Sequence, residues 1–140
     1  MKKKINILVV GGTGFIGYHL IKKCIKKSWK VTSISTRKPK PFRYIKRVKY
    51  VICDISNKKQ LTKKINDKFD YVVNLGGYVD HSNKTKTYES HYIGVKNLSE
   101  IFLNKSLKSF IQIGSGGEYG NSKVPHKENY VTNISKINSV

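Results

Sequence analysis

The sequence predicts a doubly wound parallel α/β sheet, and two observations carry that prediction. First, the short apolar run Ile5-Asn6-Ile7-Leu8-Val9-Val10 passes directly into Gly11-Gly12-Thr13-Gly14-Phe15-Ile16-Gly17, and an amphipathic segment follows at once. A strand that ends in a glycine-rich turn and opens a helix lets backbone N–H groups and a helix N-terminus approach a pyrophosphate. Second, strand-like and helix-like segments alternate along the chain, which implies parallel strands joined by covering helices. The length of 140 residues allows one domain with a modest core.

The elements follow in order. After the glycine turn, Gly17, Leu20, Ile21, Cys24 and Ile25 share one face at helical spacing. Val31 to Ser35 reads as a second strand. Residues 38–46 hold Pro39 and Pro41 and read as a loop. Tyr50 to Cys53 is a third strand, stopped by Asp54, and a short helix is expected from Lys58 to Asn66. Asp70 opens a fourth strand, Tyr71 to Leu75, which ends at Gly76-Gly77. A longer helix is expected from about Tyr88 to Lys105, with Gly94, Val95, Leu98, Ile101 and Phe102 as its inward stripe. Phe110 to Ile113 is the fifth strand, and the chain beyond Gly114 is polar and loop-like. The expected architecture is a Rossmann-type sheet of strand order 3-2-1-4-5, with its ligand at the carboxyl edge. No repeat, low-complexity segment or linker divides residues 1–140.

Lys and Arg number 28 against 8 Asp and Glu, a formal charge of +20. Such a balance invites a nucleic-acid or anionic-membrane reading. The lysines are instead spread along the whole chain, and groups such as Lys22, Lys23, Lys26 and Lys27 read as solvated helix faces. Neither nucleic acid nor membrane is expected as a partner. What remains is a positive field that favours anionic ligands. Cys24 and Cys53 each sit in an apolar stretch and read as reduced core residues. The start, Met1-Lys2-Lys3-Lys4 plus an apolar run, imitates a signal peptide, but Asn6 and the glycines break the run and no cleavage site follows. A cytoplasmic protein is expected, without a metal site.

Within the turn, Gly11 permits the tight bend, Gly14 leaves room for backbone to approach the phosphates, and Gly17 lets the helix pack closely. The end of the second strand bears on the choice of dinucleotide. NAD binders usually place an acid there to hold the ribose 2′-OH. This chain has Ser35-Thr36-Arg37-Lys38 and no acid. The planar fork of Arg37 suits a 2′-phosphate, so NADP is expected, with NAD as the alternative.

Further segments extend the pattern: Asp54 after the third strand, Leu75-Gly76-Gly77 after the fourth, Gly94-Val95-Lys96-Asn97-Leu98 in the long helix, and Ile113-Gly114-Ser115-Gly116-Gly117-Glu118-Tyr119-Gly120 after the fifth. Together with Gly11-x-x-Gly14-x-x-Gly17 they resemble the extended short-chain dehydrogenase/reductase family, the NAD(P)-dependent epimerases and dehydratases of nucleotide sugars. The resemblance covers nearly the whole chain. It implies that Gly11, Thr13, Gly14, Phe15, Ile16 and Gly17 meet the dinucleotide, and that Asp54 contacts the adenine amino group. It places Leu75, Gly76 and Gly77 beside the cofactor and gives Ser115 the position of the catalytic Ser/Thr. Such a hydroxyl hydrogen-bonds the substrate oxygen whose carbon exchanges hydride. Two positions depart from the pattern. His91 stands where the family usually has Asn, and is expected to be a buried structural residue. Glu118 is displaced by one from the acid of the sugar 4,6-dehydratases, which favours epimerases and reductases.

The family's catalytic pair, Tyr-x-x-x-Lys, has no convincing match. Tyr130 is followed at position 134 by Ile, and the Tyr119–Lys123 spacing falls within the preceding motif. The expectation is therefore the N-terminal, cofactor-binding part of a nucleotide-sugar epimerase or reductase, incomplete at its C-terminal end and without turnover of its own. Its partners would be a dinucleotide and, in the parent protein, a nucleotide sugar; a homodimer is compatible with this reading. The alternative is a non-catalytic NAD(P)-binding or sensing module.

Overall fold

The apolar run at the front becomes the central strand of a five-stranded sheet. The computed structural model describes residues 4–80, 82–103, 106–115, 119 and 125–129. Strands β1 (Asn6–Val10), β2 (Lys30–Ser35), β3 (Val48–Ile52), β4 (Tyr71–Asn74) and β5 (Ser109–Gln112) lie in the order β3-β2-β1-β4-β5. Every neighbouring pair is parallel. Helix α1 (Phe15–Lys26) links β1 to β2, and α2 (Lys58–Lys64) links β3 to β4. The connection from β4 to β5 carries α3 (Lys84–Tyr88), a π-helical stretch (Glu89–Ile93) and α4 (Gly94–Phe102).

Both faces of β1 are covered, so its apolar residues run without alternation. Ile7 and Val9 join Ile21, Cys24, Val31 and Val73 under α1. Leu8 and Val10 join Ile34, Leu61, Val72, Leu98 and Phe102 under α2 and α4. Trp29 stacks on Tyr71 at 5.5 Å between ring centroids, closing the amino end of the first layer. The two thiols are buried and unbridged, and burial pushes both up from the ordinary thiol range.

The structure shifts some expected boundaries. The long helix begins at Lys84 rather than Tyr88, because Asn83 caps it: its side-chain oxygen accepts the Lys86 N–H at 3.0 Å. The first turn carries no apolar period, so spacing alone starts the helix too late. The helix is also interrupted by its π-helical stretch, and Asn104 and Lys105 lie outside the described residues. Helix α2 ends at Lys64, two residues before the expected Asn66. Pro41–Arg43 forms a 3-10 turn inside the expected loop. Strand β3 is displaced toward the N-terminus, leaving Cys53 just beyond it.

Among the described residues β3 and β5 are the sheet edges, and Ile111 in β5 and Ile113 just after it are exposed. Among the described residues, no helix is long and apolar enough to cross a membrane.

Candidate functional site

β1 and β4 stay paired to their carboxyl ends, and the connections that leave them lead to opposite sides of the sheet, β1 to β2 and β4 to β5, with a cleft at this switch point. The cleft has a volume of about 630 Å³. Gly11, Thr13 and Gly14 form one wall, and Leu75, Gly76 and Gly77 another. Ser35, Thr36 and Arg37 stand at one end with Asp54, and Lys86, Glu89 and Ser90 also face in.

Within the glycine turn each position has a different neighbourhood. Gly11 has φ +76°, and a Cβ there would also meet the Leu75–Gly76 backbone at 3.0 Å. Its carbonyl accepts the Gly14 N–H at 3.0 Å, which sets the bend. A Cβ on Gly17 would lie 2.3 Å from that same carbonyl oxygen and 2.6 Å from Gly12 Cα, so this glycine admits the helix against the turn itself. Gly14 differs. It caps α1 in extended backbone, and its Cβ would meet only the Gly11 carbonyl oxygen, at 3.2 Å. The remaining space opens onto the cleft.

The first turn of α1 contains no acid, so its positive end is not neutralised by a carboxylate. A helix start of this kind, with exposed glycine at its cap, fits a pyrophosphate. Phe15 and Ile16 are exposed and Gly17 is buried, and none of the three lines the cleft.

At the end of β2, Ser35 Oγ donates to the Ile34 carbonyl at 2.7 Å and accepts the Thr13 N–H at 3.3 Å. The position that would carry an acid in an NAD site thus holds a hydroxyl tied to backbone. Arg37 is exposed and lines the cleft. Arg43, in the loop after β2, reaches back so that its Nη1 donates to the Thr13 carbonyl at 3.4 Å.

Asp54 lies in a tight turn in which its Oδ1 accepts from both the N–H and the hydroxyl of Ser56, at 2.9 and 2.8 Å. Helix α4 fixes this turn. The buried Asn97 amide donates to the Ile55 and Ser56 carbonyls, each at 2.9 Å. Gly94 lets α4 approach, since a Cβ there would lie 2.6 Å from Ile55 Cδ1.

The β4 end is held by a second buried amide. Asn74 accepts the Gly76 N–H through Oδ1 at 3.0 Å and donates through Nδ2 to Gln112 Oε1 at 2.8 Å. The next loop is gripped by the π-helical stretch, a geometry that often marks functional positions. Ser90 Oγ accepts the Tyr78 N–H at 3.0 Å, and His91 Nε2 lies 3.0 Å from the Tyr78 carbonyl oxygen. His91 is therefore exposed rather than buried, because it clamps a surface loop. Its ring fills the space beside Gly77, where a Cβ would lie 2.5 Å from Cε1. Lys86 Nζ sits 5.5 Å from the Tyr78 ring centroid, which adds a cation to this wall.

Ser115 is exposed, three residues past β5, and does not line the cleft. Gly116, Gly117, Glu118, Gly120, Lys123 and Tyr130 lie outside the described residues. Tyr119 stacks on His126 at 4.9 Å between ring centroids.

Comparison with known proteins agrees with this fold. The model of the NAD dependent epimerase/dehydratase family matches residues 7–139. The chain is similar to a bifunctional UDP-glucose 4-epimerase and UDP-xylose 4-epimerase of Pisum sativum, at 28% identity over 89% of this chain and 41% of the relative. It is similar to the corresponding Arabidopsis thaliana protein at 27% identity, over 85% of this chain and 39% of the relative. The chain thus spans about two fifths of the length of the curated relatives it matches. Among solved structures, a Thermotoga maritima UDP-glucose 4-epimerase with UDP-glucose superposes with a TM-score of 0.77 at 26% identity, over 86% of this chain and 41% of that one. A Bordetella bronchiseptica enzyme in complex with NAD and UDP superposes with a TM-score of 0.83 at 18% identity, over 94% of this chain and 44% of that one, a likeness of fold.

Proposed function

We propose, of a chain that belongs to the NAD dependent epimerase/dehydratase family, that it supplies the dinucleotide-binding part of a nucleotide-sugar epimerase or reductase and prefers NADP(H) to NAD(H). The observation that carries the binding reading is Gly14, a helix cap whose missing side chain faces the cleft at an uncompensated helix N-terminus. Family membership and the names of the relatives support a nicotinamide dinucleotide and a UDP-sugar.

Each residue has a part in this reading. Backbone N–H groups at the start of α1 hold the pyrophosphate, in a place where Gly14 lets it come close. Asp54, fixed by Asn97 through the loop after β3, accepts from the adenine amino group. Gly76 and Gly77 line the nicotinamide side of the cleft, their missing side chains making room for Asn74 and for the His91 ring. The bound nicotinamide supplies the hydride-accepting and hydride-donating chemistry. Ser115 donates a hydrogen bond to the sugar oxygen on the reacting carbon. Removal of that oxygen's proton needs a base with a pKa near the working pH, and no residue of this chain is assigned that task.

The preference for NADP(H) rests on Arg37 and on Ser35 standing where an acid would repel a phosphate. Arg37→Ala is expected to cost about 1.5–3 kcal/mol of NADPH affinity, the worth of a charged hydrogen bond, and to leave NADH nearly unchanged. Titration calorimetry with both cofactors measures it. Equal losses would contradict the preference.

A further inference from the structure

We propose that Arg43 is the second arm of a 2′-phosphate clamp, closing from the loop after β2 onto the same ribose that Arg37 meets from the strand end. The inference rests on the NADP reading above and adds a residue that neither the glycine motif nor the strand-end position designates.

Three observations carry it. First, a chain of contacts ties Arg43, which stands just outside the lining of the cleft, to the strand end beside it. Its Nη1 donates to the Thr13 carbonyl, while the Thr13 N–H donates to Ser35 Oγ at the end of β2. The Thr13 peptide thus joins the guanidinium to the strand-end residue that lines the cleft with Arg37. Second, the guanidinium is presented on a shaped loop rather than on a free side chain. Pro41 opens the 3-10 turn, the Arg43 N–H donates to the Lys40 carbonyl at 2.8 Å, and the Tyr44 N–H donates to the Pro41 carbonyl at 3.2 Å. The Arg43 side chain is half-buried and lies 5.6 Å from the Phe42 ring centroid, with Lys40 Nζ 5.9 Å from the same ring. Third, among the described residues no carboxylate pairs with either arginine, and the ion pairs involve lysines with Asp67, Asp70 and Glu100.

The chemistry then points to a dianion. The Arg43–Thr13 contact at 3.4 Å is long for a hydrogen bond, so a phosphate oxygen would compete with it readily. A guanidinium carries five N–H donors in a planar fork and binds phosphate through pairs of them. Two such forks, one from the strand end and one from the loop, suit a phosphate monoester better than a ribose hydroxyl. Ser35 contributes no negative charge to oppose it.

The test compares 2′,5′-ADP with 5′-AMP by calorimetry on the 140-residue chain, as wild type, Arg37→Ala, Arg43→Ala and Arg43→Gln. The glutamine keeps a donor for the Thr13 carbonyl while removing the charge. Wild type is expected to prefer 2′,5′-ADP. Both Arg43 variants should weaken 2′,5′-ADP binding about tenfold or more and change 5′-AMP binding less than about twofold, since charge-assisted bonds are lost only with the phosphate. Equal weakening of both nucleotides would make Arg43 a brace for the glycine turn and overturn the inference. No change in either would overturn it as well. Loss of preference in Arg37→Ala but not in the Arg43 variants would overturn Arg43's role while leaving the NADP reading standing. A wild type without preference, or without binding, would overturn the NADP reading and the clamp together.

Discussion

Gly14 and Gly17 look alike in the motif, yet their surroundings separate a binding requirement from a folding requirement. A methyl on Gly17 would collide with backbone at 2.3 and 2.6 Å, and backbone at the junction of strand and helix has little freedom to yield. Gly17→Ala is expected to destabilise the fold by about 2–3 kcal/mol, near the upper part of the overpacking range. Gly14→Ala meets one oxygen at 3.2 Å and is expected to cost under about 1 kcal/mol. Urea denaturation midpoints measure both, and similar losses would contradict the distinction. The three motif glycines were legible because the φ of Gly11, the cap at Gly14 and the contact of Gly17 with Gly11 are local to one turn, whereas the approach of Leu75–Gly76 to Gly11 was not. Gly12 was not assigned a role. Its Cβ would lie 2.3 Å from Ser33 Oγ, a contact with another strand that no local spacing reveals. Arg43 was missed for the same reason, since its partner Thr13 is thirty residues earlier.

At the scale of elements, α4 acts as the brace of the site. The sequence placed Gly94 and Asn97 on a helix through a motif, but not the loop they hold. That loop became visible only when Asn97 was seen to donate to the Ile55 and Ser56 carbonyls and Gly94 to seat Ile55. Asn97→Leu would leave two carbonyls without their buried donor. It is expected to destabilise by about 1–3 kcal/mol and to weaken 5′-AMP binding severalfold, through the displaced Asp54 turn. Chemical denaturation and nucleotide titration check the two effects. A stability loss with unchanged AMP affinity would separate the Asp54 turn from the site. The π-helical stretch is the element that sequence period missed. It continues from α3, which starts at the Asn83 cap, and its Ser90 and His91 point to the Tyr78 backbone rather than to the core. Period analysis detects apolar faces, and these residues are polar and act on a loop.

At the scale of the whole molecule, strand order 3-2-1-4-5 was legible because βαβ crossovers in one hand leave few arrangements of five parallel strands. The buried apolar runs of β1 and β4 also follow from cover on both faces. Less legible were the polar residues inside the sheet. Asn74 is fully buried yet links β4 to β5 and to the Gly76 turn, so it shapes the cleft from below. Its signal was one amide inside an otherwise apolar strand, to which the pattern alone gives no role. The cleft beyond β1 is the proposed dinucleotide site, whose phosphates would meet Gly14. The most direct measurement titrates NADPH fluorescence against wild type and Gly14→Val, with far-UV circular dichroism recorded on both. Extended backbone at Gly14 accepts a β-branched side chain, so the variant should keep its secondary structure. The account predicts saturable binding by wild type and none by Gly14→Val. Binding of equal affinity by a folded Gly14→Val would contradict it.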